Sequence, residues 1–236
     1  MRINRFFGDF NLFEKTVRSS DAELVNQLKN VLRLKKSDEI ILCDGKLNEA
    51  RSAVEDLNNN EAVFKVLETG RNADEFRQDV VLYCSLLKRE NFELVAQKST
   101  ELGVKEIVPV VAAKTVKLGF KTDRLRKIIK EAAEQSGRGI LPVLSEQTDF
   151  GGAIESAGGN DLNLFFELGG KTLGNLNLDF FKYKKIGIFI GPEGGWSEEE
   201  LNLANNNFKI AGLSRFTLRA ETAAIAALTE VTQQLQ

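Results

Sequence analysis

Four short apolar runs, residues 80–87, 107–111, 162–166 and 186–190, alternate with longer stretches of helical period, and this alternation restricts the fold more than any other feature of the chain. Apolar runs of that length predict strands buried on both faces, as in a parallel sheet. Between them, residues 91–102 place Phe92, Val95, Ala96, Ser99 and Leu102 on one helical face, with Gly103 as the stop. Residues 124–136 turn Leu125, Ile128, Ile129, Ala132 and Ala133 inward. Ser197-Glu198-Glu199-Glu200 is a capping box opening a short helix, residues 208–213 read as a further strand, and residues 220–235 form an Ala-rich last helix. The pattern predicts an α/β domain with a mostly parallel sheet.

The first 68 residues have a different texture. Ser20-Asp21-Ala22-Glu23 reads as a capping box for a helix through Leu24, Val25, Leu28, Val31 and Leu32. Residues 40–43 read as a strand ending at the Asp44-Gly45 turn, and extended runs follow at 49–54 and 62–67. This is a small barrel or sheet domain. The polar stretch 69–74 reads as a linker, which puts one domain at 1–70 and a second at 74–236.

Composition removes several kinds of chemistry. The chain has no histidine, so a Ser-His-Asp or Cys-His machine and a His-ligated metal are excluded, and no metal site is expected. Proton transfer must fall to a carboxylate, Lys, Tyr or the substrate. Cys43 and Cys84 stand alone, which fits a reducing cytoplasm. The basic start, Met1-Arg2, leads into no apolar signal segment, and no run approaches the roughly 18 apolar residues of a membrane helix. The net charge of -2 hides an uneven distribution. Lys114, Lys117, Lys121, Arg124, Arg126, Lys127, Lys130 and Arg138 are opposed only by Asp123, Glu131 and Glu134. Such a stripe suits a phosphate backbone; as a lone charge run it reads equally as a solvated helix face.

Four segments are candidates for chemistry, each with a plainer reading beside it. Gly191-Pro192-Glu193-Gly194-Gly195-Trp196 follows a strand and precedes a capped helix, where ligands of open α/β sheets sit. Its spacing matches neither a dinucleotide fingerprint nor a P-loop, and alone it is equally a tight turn. Leu218-Arg219-Ala220-Glu221-Thr222-Ala223 surrounds the start of the last helix and is otherwise an ordinary cap with an acid at the favourable end. Glu131 to Arg138 follows the basic helix and is otherwise its C-terminal turn. Phe165-Phe166-Glu167-Leu168-Gly169-Gly170 is a second strand ending in glycines, or a plain strand-to-loop transition.

Taken together and in this order, Lys98-Ser99-Thr100-Glu101-Leu102-Gly103-Val104, the Glu131–Arg138 segment, the Gly191–Ser197 segment and the Leu218–Ala223 segment resemble the small-subunit rRNA uridine-N3 methyltransferases of the SPOUT superfamily. The resemblance extends to Val31-Leu32-Arg33-Leu34 and Asp44-Gly45. It implies a PUA-like β-barrel that helps bind RNA, then an α/β domain with a deep trefoil knot, and a homodimer. It also implies S-adenosyl-L-methionine as cofactor, held by Glu167, Leu168, Gly169, Gly191, Pro192, Glu193, Gly194, Leu213, Leu218 and Thr222. The substrate it implies is uridine N3 in 16S rRNA of the small ribosomal subunit. Arg219 and Arg138 are then the candidates for stabilising a uracil anion or a flanking phosphate, with Glu221 and then Glu134 as general base. Either Glu reads equally well as an ion-pair partner.

The chain departs from the family pattern in places. Where the family reads Leu-Gly-x-Arg-Ile-Leu-Arg, this chain reads Leu213-Ser214-Arg215-Phe216-Thr217-Leu218-Arg219. An Arg-Ser pair is Lys114-Thr115 here, and the histidines before Val-Leu-Arg are missing. These changes leave two other readings: a superfamily enzyme acting on another RNA, and an RNA-binding or ribosome-assembly protein without cofactor. An unrelated nucleotide-binding α/β enzyme ranks last, for want of a phosphate loop.

Overall fold

The computed structural model describes residues 3–116, 119 and 121–236. Met1, Arg2 and Lys117, which the sequence reading used, lie outside the described residues. The chain forms two compact units: Met1–Glu75 with Ala133–Leu141, and Phe76–Ala132 with Pro142–Gln236. A break at 70–74 places residues 133–141 with the second domain; here they pack with the first unit.

The first unit is built on a mixed five-stranded sheet. β1 (Asn4–Phe7), β2 (Thr16–Ser19), β3 (Glu39–Cys43), β4 (Asn48–Leu57) and β5 (Ala62–Arg71) lie in the order β1-β3-β4-β5-β2. β1 runs parallel to β3, and the other pairs are antiparallel. Leu28, Ile40, Leu42, Ala50 and Phe64 are fully buried in its core. The helix here is shorter than its periodicity predicts. α1 covers Ala22–Asn26 and relaxes into a π turn at Gln27–Val31, leaving Val31 exposed. Asp21 rather than Ser20 caps it, accepting from the N–H groups of Glu23 and Leu24.

The second unit is a seven-stranded sheet with helices on both faces. Its strands are β6 (Asp79–Ser85), β7 (Glu106–Val111), β8 (Val143–Leu144), β9 (Thr148–Asp149), β10 (Leu162–Lys171), β11 (Lys185–Ile190) and β12 (Lys209–Ala211). The order is β12-β10-β11-β6-β7-β8, with β9 also on β7, and every pair is parallel. One face packs on α2 (Arg89–Glu101), the first part of α3 (Thr122–Ser136) and α6 (Ala220–Gln233), through Phe92, Val95, Leu125, Ile129, Ala224 and Leu228. The other packs on α4 (Phe150–Ala157) and α5 (Glu198–Asn207), through Phe150, Ala153, Ala157 and Ala204. Both faces being covered explains why the strand sequences are largely apolar rather than alternating. α4 escapes the periodicity because it carries two glycines in eight residues; Asp149 starts it by accepting from the N–H of Gly152.

Candidate functional site

Because every strand of the second unit runs parallel, the carboxyl ends of β12, β10 and β11 come out side by side. The loops that follow β11 and β12, and the end of β10 itself, form one cleft with the first turn of α6. It encloses about 570 Å³ including its open mouth. β10 contributes Phe166, Glu167 and Leu168, and the loop after β11 contributes Gly191, Pro192, Gly195 and Trp196. The loop after β12 contributes Leu213, Ser214, Phe216, Thr217 and Leu218, and α6 contributes Ala223.

Each loop is tied in place. Trp196, the only tryptophan, is 4% exposed and sits with its ring centroid 4.6 Å from that of Phe165 and 5.2 Å from that of Phe150. Its indole N–H donates to the carbonyl of Phe166 at 3.3 Å, joining the second loop to the first. Lys114 Nζ donates to the carbonyl of Trp196 at 2.9 Å. Ser197 and Glu200 form the predicted capping box, and Glu200, also buried, accepts from the N–H of Ala113 at 2.8 Å. The third loop is set by glycine contact. A Cβ on Gly212 would lie 2.3 Å from the carbonyl oxygen of Gly170, and one on Gly170 would lie 2.4 Å from Ala211. The N–H of Gly212 donates to the carbonyl of Lys171 at 2.8 Å. Ser214, in place of the family's glycine, has no left-handed backbone to strain it, and its hydroxyl accepts from the N–H of Phe216 at 3.0 Å.

Of the residues predicted for the cofactor, Glu167, Leu168, Gly191, Pro192, Leu213 and Leu218 line this cleft. Gly169, Glu193, Gly194 and Thr222 do not. Gly169 instead supplies a left-handed turn with φ 85°. Trp196, Phe216 and Ala223 line it as well; each lies within a segment or loop expected to carry the site but is not among the residues expected to hold the cofactor. The lone tryptophan between a glycine pair and a helix cap was the available signal for the first.

The four catalytic candidates separate. Arg219 is the exposed N-cap residue of α6 and makes no side-chain capping bond. Glu221, in the first turn, is 8% exposed, and among the described residues its Oε2 has no hydrogen-bond partner. Neither Arg219 nor Glu221 lines the cleft itself, although Ala223 of the same first part of α6 does; buried polar atoms are nearly always satisfied, so the open acceptor of Glu221 marks a place where a donor is expected to arrive. Burial pushes the neighbouring Cys84 thiol far up, and the charges of Glu193 and Glu221 add to this. Arg138 and Glu134 belong to the first unit and do not line the cleft. Arg138 donates from Nε and Nη2 to the two oxygens of Glu75, at 2.7 and 3.0 Å, with both side chains buried. Burial pushes the Glu75 carboxyl up, but Arg138 and the N–H groups of Gly139 and Ile140 outweigh it and hold it below its ordinary value. Glu134 accepts from the N–H of Phe7 at 3.0 Å. The basic stripe is partly committed too: Arg124 is paired with Glu93, and Lys114 with a carbonyl.

Chemically, the cleft offers apolar walls, backbone N–H and C=O groups and the carboxylate of Glu167; among the described residues no lysine or arginine lines it. It suits a flat, largely uncharged or cationic ligand rather than a polyphosphate, which calls for a nest of N–H donors and cations. Among the described residues no acidic or sulfur cluster is placed to hold a metal.

Comparison with known proteins gives the same architecture. An RNA methyltransferase domain model matches residues 74–232, and an RNA methyltransferase PUA domain model matches residues 21–67. The Ribosomal RNA small subunit methyltransferase E of Synechocystis is 32% identical over 231 residues, covering 95% of this chain and 75% of the relative. That of Bacillus subtilis is 29% identical, covering 92% of this chain and 90% of the relative. The crystal structure of the Neisseria gonorrhoeae methyltransferase E bound to S-adenosyl methionine superposes with a TM-score of 0.88 at 28% identity, covering 98% of each chain. A Legionella pneumophila methyltransferase in complex with the same cofactor gives 0.87 at 26% identity, covering 99% of this chain and 98% of that one. With its domain model matched over more than half its length, the chain belongs to the RNA methyltransferase family.

Proposed function

We propose that this chain is an S-adenosyl-L-methionine-dependent methyltransferase acting on N3 of a uridine in small-subunit (16S) ribosomal RNA. The observation that carries the reading is the three-loop cleft at the ends of β10, β11 and β12. Solved relatives with this fold hold S-adenosyl methionine. The cleft fits that group. Leu168, Leu213 and Leu218 supply apolar surface for a flat purine, and backbone groups of the glycine loops can meet its polar edge. Among the described residues Glu167 is the one charged residue in the lining, a sign compatible with a sulfonium and with ribose hydroxyls. When bound, the group supplies an electrophilic methyl to an attacking nucleophile.

The chain's own residues must do the rest. Uracil N3–H is weakly acidic, so its proton has to be accepted and the developing charge on the ring oxygens balanced. We assign the first task to the open Oε2 of Glu221 and the second to Arg219. Glu134 and Arg138 become structural groups of the first unit, since both are engaged there. The first unit, matched by the PUA model, is then an RNA-binding module, and the boundary between domains falls near residues 70–76. The same reading includes the trefoil knot, a homodimer and a cytoplasmic location. Among the described residues no helix is long and apolar enough to cross a membrane.

The test uses purified protein, radiolabelled S-adenosylmethionine and small ribosomal subunits from a strain lacking the gene. Label recovered as 3-methyluridine supports the reading; label in another nucleoside, or none, rejects it. Glu221→Gln should lower kcat by about 10²–10⁴-fold, the usual range for a lost general base, with cofactor affinity retained.

A further inference from the structure

Phe216 is 80% exposed, an unusual position for a large aromatic side chain that nothing in the described chain covers. It stands on the lip of the cleft rather than on a remote surface. Its backbone is held by the N–H bond to the Ser214 hydroxyl, so the ring is presented from a defined turn. Arg215 and Arg219 flank it in sequence; both are exposed, and neither has an ion-pair partner among the described residues. An exposed aromatic face with uncommitted cations close by in the chain is the pattern that binds single-stranded nucleic acid: bases stack on the ring while a cation meets a phosphate. Resting on the function proposed above, we infer that Phe216 stacks on an unpaired base of the substrate RNA at the mouth of the cofactor cleft, with the adjacent Arg215 meeting a neighbouring phosphate.

The base to be methylated must leave its stack to reach the cleft, and the energy of that step has to be recovered from contacts made outside it. A ring already fixed at the entrance recovers part of it without reorganisation. The stack also gives a use to the residue that replaces the family's arginine at this position: a planar guanidinium and a phenyl ring can occupy the same place against a base face.

The experiment compares wild type with Phe216→Ala, Phe216→Leu and Phe216→Trp, using small ribosomal subunits from a strain lacking the gene and S-adenosylmethionine. RNA Kd, cofactor Kd by calorimetry, kcat and KM, and molar mass in solution are measured for each. Ala should weaken RNA binding by about 5- to 150-fold, the roughly 1–3 kcal/mol of one base–aromatic stack at about 1.4 kcal/mol per decade. Trp should restore it, and Leu, which keeps apolar area but has no π face, should not. Because Phe216 also lines the cleft, cofactor Kd should shift as well, but by less than RNA Kd in each variant. Equal recovery by Leu overturns the stack in favour of simple apolar contact. A loss of cofactor affinity as large as that of RNA affinity overturns it in favour of a wall of the cofactor site, and a fall in molar mass overturns it in favour of a contact between two copies of the chain. If wild type itself transfers no methyl group to the RNA, the proposed function fails first; if wild type is active and all variants match it, only the stack fails.

Discussion

At Glu75 and Arg138 two charges leave water together, and the geometry decides whether that is tolerated. The guanidinium meets both carboxylate oxygens, and one of those oxygens also accepts from the N–H groups of Gly139 and Ile140. Removing one partner strands the other, a change that typically costs about 3–5 kcal/mol. Glu75→Gln should therefore lower the urea midpoint sharply at pH 7. Because the folded carboxyl titrates below its unfolded value, its contribution is present above the unfolded pKa and is lost as pH falls through the folded one. The gap between wild type and Glu75→Gln should accordingly narrow at acid pH; a gap independent of pH would exclude this role. The two cysteines make a second residue-scale prediction. Burial pushes Cys43 up to about 11 and Cys84 further still. Neither should react with a thiol reagent at pH 8 until the chain is unfolded, and fast reaction in the native state would contradict the burial.

At the scale of elements, the cleft depends on how closely β10 and β12 approach. Gly170 and Gly212 lie in direct backbone contact, with no room for a methyl group on either. Gly212→Ala forces the third loop away, and overpacking of this kind costs about 1–3 kcal/mol. We expect at least about a tenfold loss of cofactor affinity by calorimetry, with a lowered melting temperature. Gly174→Ala is the control, since a Cβ there meets nothing within 4 Å. Equal affinity in the two variants would mean that the third loop is not set by this contact. Trp196 reports on the same element without mutation. As the only tryptophan, and a lining residue, its fluorescence should change on saturation with S-adenosylmethionine.

For the whole molecule, a net charge of -2 says little about RNA binding, and the state of each cation says more. Lys121 and Arg126 are exposed, Arg126 being only loosely paired with Asp123 at 3.7 Å. Arg124 donates to both oxygens of Glu93, which drives that carboxyl down to about 2. Lys121→Ala and Arg126→Ala should each weaken RNA binding for any sequence and reduce the slope of log K against log salt by about one. Arg124→Ala should do less, because its charge is already met by Glu93. An equal effect from all three would mean that the ion pair opens when RNA binds.

Much of this was legible in the order of residues alone. Largely apolar strands require cover on both faces, so the parallel sheet followed from composition along the chain; the Ser197–Glu200 cap followed from chemistry confined to four residues. Six of the proposed cofactor residues line the cleft for the same reason: strand ends in a parallel sheet converge, and glycine marks where the backbone itself is the contact surface. What periodicity could not decide were the outcomes that depend on partners distant in sequence. Arg138 and Glu134 look like site residues until Glu75 and Phe7 are found bonded to them, more than 60 positions away in each case. The Gly170–Gly212 contact, the burial of Glu221 with one open oxygen and the exposure of Phe216 are likewise set by packing. Local sequence specifies propensity and period. Whether a charge is paired, an acceptor left open or a ring left uncovered is decided only when the strands take their order in the sheet.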